Sequence, residues 1–287
     1  MSHPKPRKNL GQHFLTDRNI LRKIADFAGV AAGEPVVEVG PGTGTLTEVL
    51  LERGCRVLAL ELDTALAEGL RGRFAGEPRL TVENLDAVKV DLGALLARHG
   101  ITTPVRVAGN FPYNVGTGIV RKLIPLRGTV SSVCALLQEE VVRRMSAGPG
   151  SDDYGYLTLD CRYHAEVAQG FKVHPGSFYP PPKVDSRTVR LDLRPAPLLD
   201  PDAERAFFHL VSRGFLHRRK MLAGSLASGA AGAATWKAIL AEAGIDGAAR
   251  PETVGFDAWL RLSQTAARSL PAMVFRNGRH GPDGGRA

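Results

Sequence analysis

Apolar residues at Ile20, Leu21, Ile24, Ala25 and Phe27 recur at close to the spacing of one helix face, which predicts a helix over Asp17 to Ala28. Asp17 suits its N-cap and Gly29 its C′ stop. The pattern then changes to a continuous apolar run, Pro35-Val36-Val37-Glu38-Val39-Gly40, read as a buried strand that ends in a glycine-rich turn. From there strands and helices alternate. Helices are expected at Thr45 to Arg53, Thr64 to Phe74 and Leu92 to His99, and strands at Arg56 to Glu61, Leu80 to Glu83 and Val105 to Gly109. Alternation at such short intervals signals βαβ units and a parallel sheet.

Further on, Val130 to Gln138 reads as a strand, Glu139 to Met145 as a helix and Pro149 to Asp153 as a loop. The run from Leu157 to Val167 suits a helix or a strand, and the pattern does not decide. Phe178-Tyr179-Pro180-Pro181-Pro182 is rigid because consecutive prolines restrict φ, and Val184 to Leu193 alternates like a final strand. After Pro195-Ala196-Pro197 the texture becomes helical, over Ala203 to Phe215, Lys220 to Ala227, Thr235 to Ala243 and Phe256 to Ala267. A domain boundary is therefore expected near residue 197. The end of the chain, 271–287, is rich in Gly, Arg and Pro and is expected to be disordered.

With 287 residues, 44% of them hydrophobic, the chain can bury a real core. Its longest apolar stretches, such as Val133 to Leu137, are far short of a membrane span, and the basic N-terminus lacks the apolar centre of a secretory signal. Cys55, Cys134 and Cys161 are odd in number, widely spaced and set among apolar neighbours, so buried free thiols in a reducing, cytoplasmic compartment are expected. The net charge of +8 suggests a polyanionic partner. Two clusters carry the suggestion: Lys5, Arg7 and Lys8 near the start, and Arg218-Arg219-Lys220. A solvated tail and a solvated helix face would read the same way.

Chemistry concentrates at the strand ends. The turn Gly40-Pro41-Gly42-Thr43-Gly44 lets backbone approach a ligand closely, though a glycine turn alone can be only a tight turn. Thr45 stands where a dinucleotide fingerprint would want Gly or Ala. Glu61 ends the second strand, where such folds place an acid for ribose hydroxyls, and Asp86 follows the third, where a carboxylate could accept from an adenine amine. Together with the turn they point to a nucleoside-containing cofactor.

Asn110-Phe111-Pro112-Tyr113 follows the fourth strand. An exocyclic nucleobase amine is a poor nucleophile because its lone pair is delocalised into the ring. The Asn110 side-chain oxygen and the Phe111 carbonyl could accept its two hydrogens and aim the lone pair at an electrophile. Pro112 stiffens the turn, and Tyr113 offers an aromatic face. A proline turn with a packed tyrosine is the plainer alternative.

On these residues the chain resembles the ribosomal RNA adenine N6,N6-dimethyltransferase family, specifically its bacterial small-subunit (16S) members. The resemblance runs from about Lys8 to Leu262. It is carried by Lys8 to Leu15, Val37 to Gly44, Leu60 to Asp63, Asn84 to Ala87, Gly109 to Asn114 and Phe178 to Ser186. It implies a Rossmann-like α/β fold that binds S-adenosyl-L-methionine as methyl donor, spanning 1–197, and a small helical RNA-binding domain over 198–270. It implies that His13 and Leu15 close the methionine end of the cofactor. Gly40 and Asn110 would also contact that end, Gly42 would belong to the cofactor site, Glu61 would take the ribose, and Asp86 the adenine. The target base would lie between Tyr113 and Phe178, with Asn110, Phe111 and Pro112 at the reacting amine and no metal required. Arg218, Arg219 and Lys220 would meet RNA. The implied partners are small-subunit ribosomal RNA and the assembling small subunit, met by a monomer. An RNA-binding assembly factor with dispensable catalysis and a large-subunit methylase of the antibiotic-resistance type are the alternatives.

Five positions depart from the family pattern. Phe111 stands where Leu or Ile is common, and His13 where Asn is frequent. Gly116 and Gly118 replace Ser and Pro, which is expected to loosen the following helix, and Tyr156 stands where Arg is common.

Overall fold

The computed structural model describes residues 6–7, 11–227, 231–270 and 275. Lys5, Lys8 and all of the 271–287 tail except Phe275 lie outside them. The chain divides into two compact units. The first comprises Met1–Val142 with His164–Pro195, and the second Arg143–Tyr163 with Ala196–Ala287. The change of texture near residue 197 therefore marks one crossing between units. The pair of crossings around 143–163 left no mark in composition.

In the first unit, β1 (Phe14–Leu15) precedes α1 (Arg18–Ala28), β2 (Pro35–Val39), α2 (Thr45–Glu52), β3 (Arg56–Glu61), α3 (Thr64–Arg73) and β4 (Leu80–Asn84). These are followed by α4 (Leu92–Arg98), β5 (Val105–Asn110), α5 (Gly116–Leu123), β6 (Val130–Gln138) and α6 (Glu139–Ser146), which crosses into the second unit. After α7 (Tyr156–His164) come β7 (Ala165–Val173), β8 (Phe178–Tyr179) and β9 (Ser186–Leu193). The undecided run at 157–167 thus holds all but the first residue of a helix and the start of a strand.

Seven strands form one sheet in the order β4-β3-β2-β5-β6-β9-β7. The five from β4 to β6 are parallel, while β9 pairs antiparallel with both β6 and β7. β2 and β3 are buried along nearly their whole length, as strands covered on both faces must be. Side chains alternate along a strand. Val36, Val57, Ala59 and Ala108 accordingly join Leu21, Ile24, Leu46 and Val49 in one core cluster beneath α1 and α2. Asp17 caps α1 by accepting from the backbone N–H groups of Asn19 and Ile20, and Gly29 ends it in the left-handed region at φ 67°. Chain order reverses between β2 and β5, so the carboxyl ends of these two strands diverge into a crevice. A separate two-stranded sheet pairs β1 with β8.

The second unit is helical: the end of α6, most of α7, α8 (Pro201–Leu216), α9 (Leu222–Leu226), α10 (Ala233–Glu242) and α11 (Phe256–Ser269). Its core gathers Tyr154, Tyr156, Tyr163, Phe207, Leu210, Trp236 and Trp259. Cys55, Cys134 and Cys161 are buried free thiols. Among the described residues no helix is long and apolar enough to cross a membrane.

Candidate active site

The crevice at the β2–β5 reversal is a cavity of about 180 Å³, all of it within the first unit. Its walls come from the turn after β2, the ends of β3 and β5, and the segment leading into β1. Register explains why the polar groups meet there. Glu38 pairs with Ala59 on β3 and Ala108 on β5. Glu61 and Asn110 lie two residues beyond those partners, so all three side chains emerge on the α1/α2 face at the carboxyl edge.

Gly42 is the glycine of the turn that packs against Phe14. Its φ is 58°, and a Cβ there would lie 2.9 Å from the ring of Phe14. Only glycine fits both the backbone and the space. Glu61 is buried, and its two oxygens accept from the backbone N–H groups of Gly42 (3.0 Å) and Asp63 (2.9 Å). Burial raises its pKa, with those N–H groups opposing the shift. Each oxygen keeps a lone pair, so the group can still accept from a vicinal diol.

Asn110 is oriented by the chain itself. Its Nδ2 donates to the backbone carbonyl of His13 at 2.7 Å, which leaves Oδ1 as the free acceptor. The next residue, Phe111, is 1% exposed and donates its N–H to the Leu136 carbonyl. Among the described residues no hydrogen bond ends on the Phe111 carbonyl. Asn110 Oδ1 and the Phe111 carbonyl are thus two acceptors on successive residues of the cavity lining. Pro112 and Tyr113 continue the wall. Burial raises the pKa of the Tyr113 phenol, which hydrogen-bonds with Ser186 Oγ.

Of the residues expected at the site, His13, Leu15, Gly40, Gly42, Glu61, Asn110, Phe111, Pro112 and Tyr113 all line the cavity. Three of the expected residues are placed or engaged elsewhere in this structure. Phe178 does not line it. In the β1–β8 pair Phe178 opposes Leu15, and both side chains enter the α1/α2 core, leaving Phe178 4% exposed and turning Tyr179 outwards. Asp86 stands at the same sheet edge but outside the lining. One of its oxygens accepts from the Val88 N–H, closing its own turn, and the other faces Lys89 at 3.7 Å. Arg218 is occupied within the second unit. Its guanidinium donates to Glu252 (2.6 Å) and to the carbonyls of Ser151 and Asp152. Arg219 and Lys220 are exposed.

Two of the departures also take a definite place. An added Cβ at Gly116 would lie 2.5 Å from the end of the Leu137 side chain, which would have to shift, while Gly118 has open space. Tyr156 is buried in the helical core.

Sequence reasoning missed Glu38. It is 1% exposed, lines the cavity and accepts from the Thr47 hydroxyl at 2.6 Å. Burial pushes its pKa up to about 8, the Thr47 hydrogen bond opposing and the nearby Glu61 adding to the rise. The available signal was one acid inside an otherwise apolar strand.

A family model described as ribosomal RNA adenine dimethylase matches residues 4–268. The protein named "Ribosomal RNA small subunit methyltransferase A" of Geobacter sulfurreducens is 40% identical over 262 residues, covering 91% of this chain and 95% of its own. Its namesake in Alkaliphilus oremlandii is 38% identical, covering 92% of each chain. Among solved structures, the 23S rRNA methyltransferase ErmE superposes with a TM-score of 0.69 at 29% identity, over 88% of this chain and 98% of that one. A dimethyladenosine transferase from Plasmodium falciparum gives 0.76 at 23% identity, over 90% and 98%, and shares the fold.

Proposed function

The chain belongs to the ribosomal RNA adenine dimethylase family, and from that membership we propose that it methylates the N6 amines of two adjacent adenosines in a hairpin loop near the 3′ end of small-subunit ribosomal RNA, twice each. S-adenosyl-L-methionine, when bound, supplies an electrophilic methyl group on a sulfonium. The cavity suits that donor: bare backbone at Gly42, two buried carboxyl groups and apolar walls at Leu15 and Leu46.

The observation that carries this reading is the 2.7 Å hydrogen bond from Asn110 Nδ2 to the His13 carbonyl. That bond fixes the orientation of the amide, so Asn110 Oδ1 is available as an acceptor. Asn110 Oδ1 and the Phe111 carbonyl hold the two hydrogens of the target amine, draw its lone pair out of conjugation and orient it. A preset acceptor pair costs no reorganisation during reaction. Tyr113 supports the base by its ring face, worth roughly 1–3 kcal/mol for one stacked base. The surplus proton leaves to water once the nitrogen is alkylated. Glu61 accepts from the ribose of the donor. Exposed Arg219 and Lys220 contribute to holding RNA on the assembling subunit, where the protein acts as a cytoplasmic monomer.

The small-subunit assignment is preferred to the large-subunit one because the relatives bearing that name are the more similar in sequence, 40% against 29%. The test is to incubate the protein and methyl donor with assembling small subunits that lack the modification, then locate methylated adenines by mass spectrometry. Dimethyladenosine pairs near the 3′ end are expected, and Asn110→Ala should abolish them while keeping most of the donor affinity. Methylation confined to large-subunit RNA, or none at all, refutes the proposal.

A further inference from the structure

Tyr113 is held from two sides. The His13 ring lies against it with centroids 5.2 Å apart and planes 29° from parallel. Its hydroxyl is tied to Ser186 Oγ, and Ser186 is fully buried on β9. His13 is itself pinned. Its Nδ1 lies 2.8 Å from the Pro180 carbonyl, an acceptor, so Nδ1 carries the proton. Its own carbonyl receives the Asn110 amide. One residue therefore touches both Asn110 and Tyr113.

A phenol ring offers two faces and one polar edge. Here the imidazole covers one face and Ser186 takes the edge, so a single face is left for a flat ligand. We propose that His13 and Ser186 are positioning residues for the acceptor: they lock Tyr113 as a one-sided platform on which a purine stacks beside Asn110 Oδ1. This rests on the reading of adenine as the acceptor. It gives the His13 side chain a task at the base, distinct from the methionine end that family resemblance suggests for this position. A ring ordered beforehand need not be ordered on binding, and immobilising one such side chain weakens association by about two- to ten-fold.

The test uses the full-length protein and a hairpin RNA carrying 2-aminopurine at the target position, whose fluorescence falls on stacking. Wild type should quench it. His13→Ala and Ser186→Ala should quench less and raise the apparent Kd for RNA about two- to ten-fold, with donor affinity unchanged by calorimetry. His13→Phe, which keeps a ring, should recover most of the loss. In a Tyr113→Ala background, His13→Ala should have no further effect. A His13→Ala variant that loses donor affinity with quenching intact overturns the proposal, as does a His13→Phe variant no better than alanine. Should Ser186→Ala fail to fold, the His13 series still decides. Quenching without methyl transfer to RNA would instead refute the proposed activity and leave the platform standing.

Discussion

Glu38→Gln isolates the most perturbed carboxyl group lining the cavity. In the wild type, burial pushes Glu38 up to about 8, opposed by the Thr47 hydroxyl and reinforced by Glu61. The folded state then holds a proton that the unfolded chain releases near the ordinary value of 4.5. Because the folded pKa is the higher, this group's contribution is fully present below 4.5 and is lost as pH rises towards 8. At about 1.4 kcal/mol per pH unit, the wild type should lose on the order of 2 kcal/mol from this one group between about pH 5.5 and about pH 7.5. Glutamine keeps the size, can accept from Thr47 and does not titrate. Its unpaired amide hydrogens cost about 1–3 kcal/mol, but equally at every pH. The signature is therefore a change of slope, with any offset set aside. Urea unfolding followed by circular dichroism at several pH values measures it. The wild-type stability should fall more steeply with pH than that of the variant. Parallel curves would mean that Glu38 is ionised in the folded protein, and the account of a neutral carboxyl beneath the donor site would be wrong.

Arg218→Ala should destabilise the helical unit by about 1–3 kcal/mol, since it strands the Glu252 carboxylate and two loop carbonyls. Both tryptophans, Trp236 and Trp259, lie in that unit, so fluorescence-detected unfolding reads it directly. The same variant should leave the salt dependence of RNA binding unchanged. Neutralising Arg219 and Lys220 should flatten that dependence, by at most about one unit of slope for each phosphate that goes unneutralised; an unaltered slope removes them from the interface. Gly42→Ala should cost donor affinity at least about ten-fold, because it forces a left-handed backbone and drives a methyl group into Phe14. Calorimetry within two-fold of wild type would contradict the requirement for bare backbone there.

The fold was legible wherever local pattern and tertiary environment agree. The α1 helix has its cap, its periodic face and its stop in one short stretch, and the structure realises all three. The central strands are apolar because both faces are covered, which is itself a sequence signal. The 157–167 run was undecidable for a physical reason: a helix passes directly into a strand at His164, with no glycine or proline between them. The β1–β8 pair was illegible for another. Two residues per strand carry no periodicity, and their partners are more than 160 positions apart.

The site divides along the same line. Gly42, Glu61 and Asn110 could be found because a parallel sheet delivers successive strand ends to one edge, so position along the chain already implies position in space. Phe178, Asp86 and Arg218 belong to motifs equally visible in sequence, yet Phe178 and Asp86 lie outside the cavity lining and Arg218 is engaged within its own unit. What separates the two groups is the number of competing partners. Gly42 and Asn110 have their alternatives narrowed, one by lacking a side chain and the other by the His13 carbonyl that fixes the orientation of its amide. Arg218 has five donors and finds Glu252 and two carbonyls within its own unit, while Phe178 finds an apolar core opposite Leu15. A motif names residues capable of a task; the nearest unsatisfied group decides which of them are left free to perform it. By that criterion His13 is the informative departure. Asparagine and histidine can both offer the backbone carbonyl that orients Asn110, but only histidine adds a ring against Tyr113, so this chain should tolerate His13→Phe better than His13→Asn in base stacking, a ranking that the quenching of 2-aminopurine would reverse if the ring were incidental.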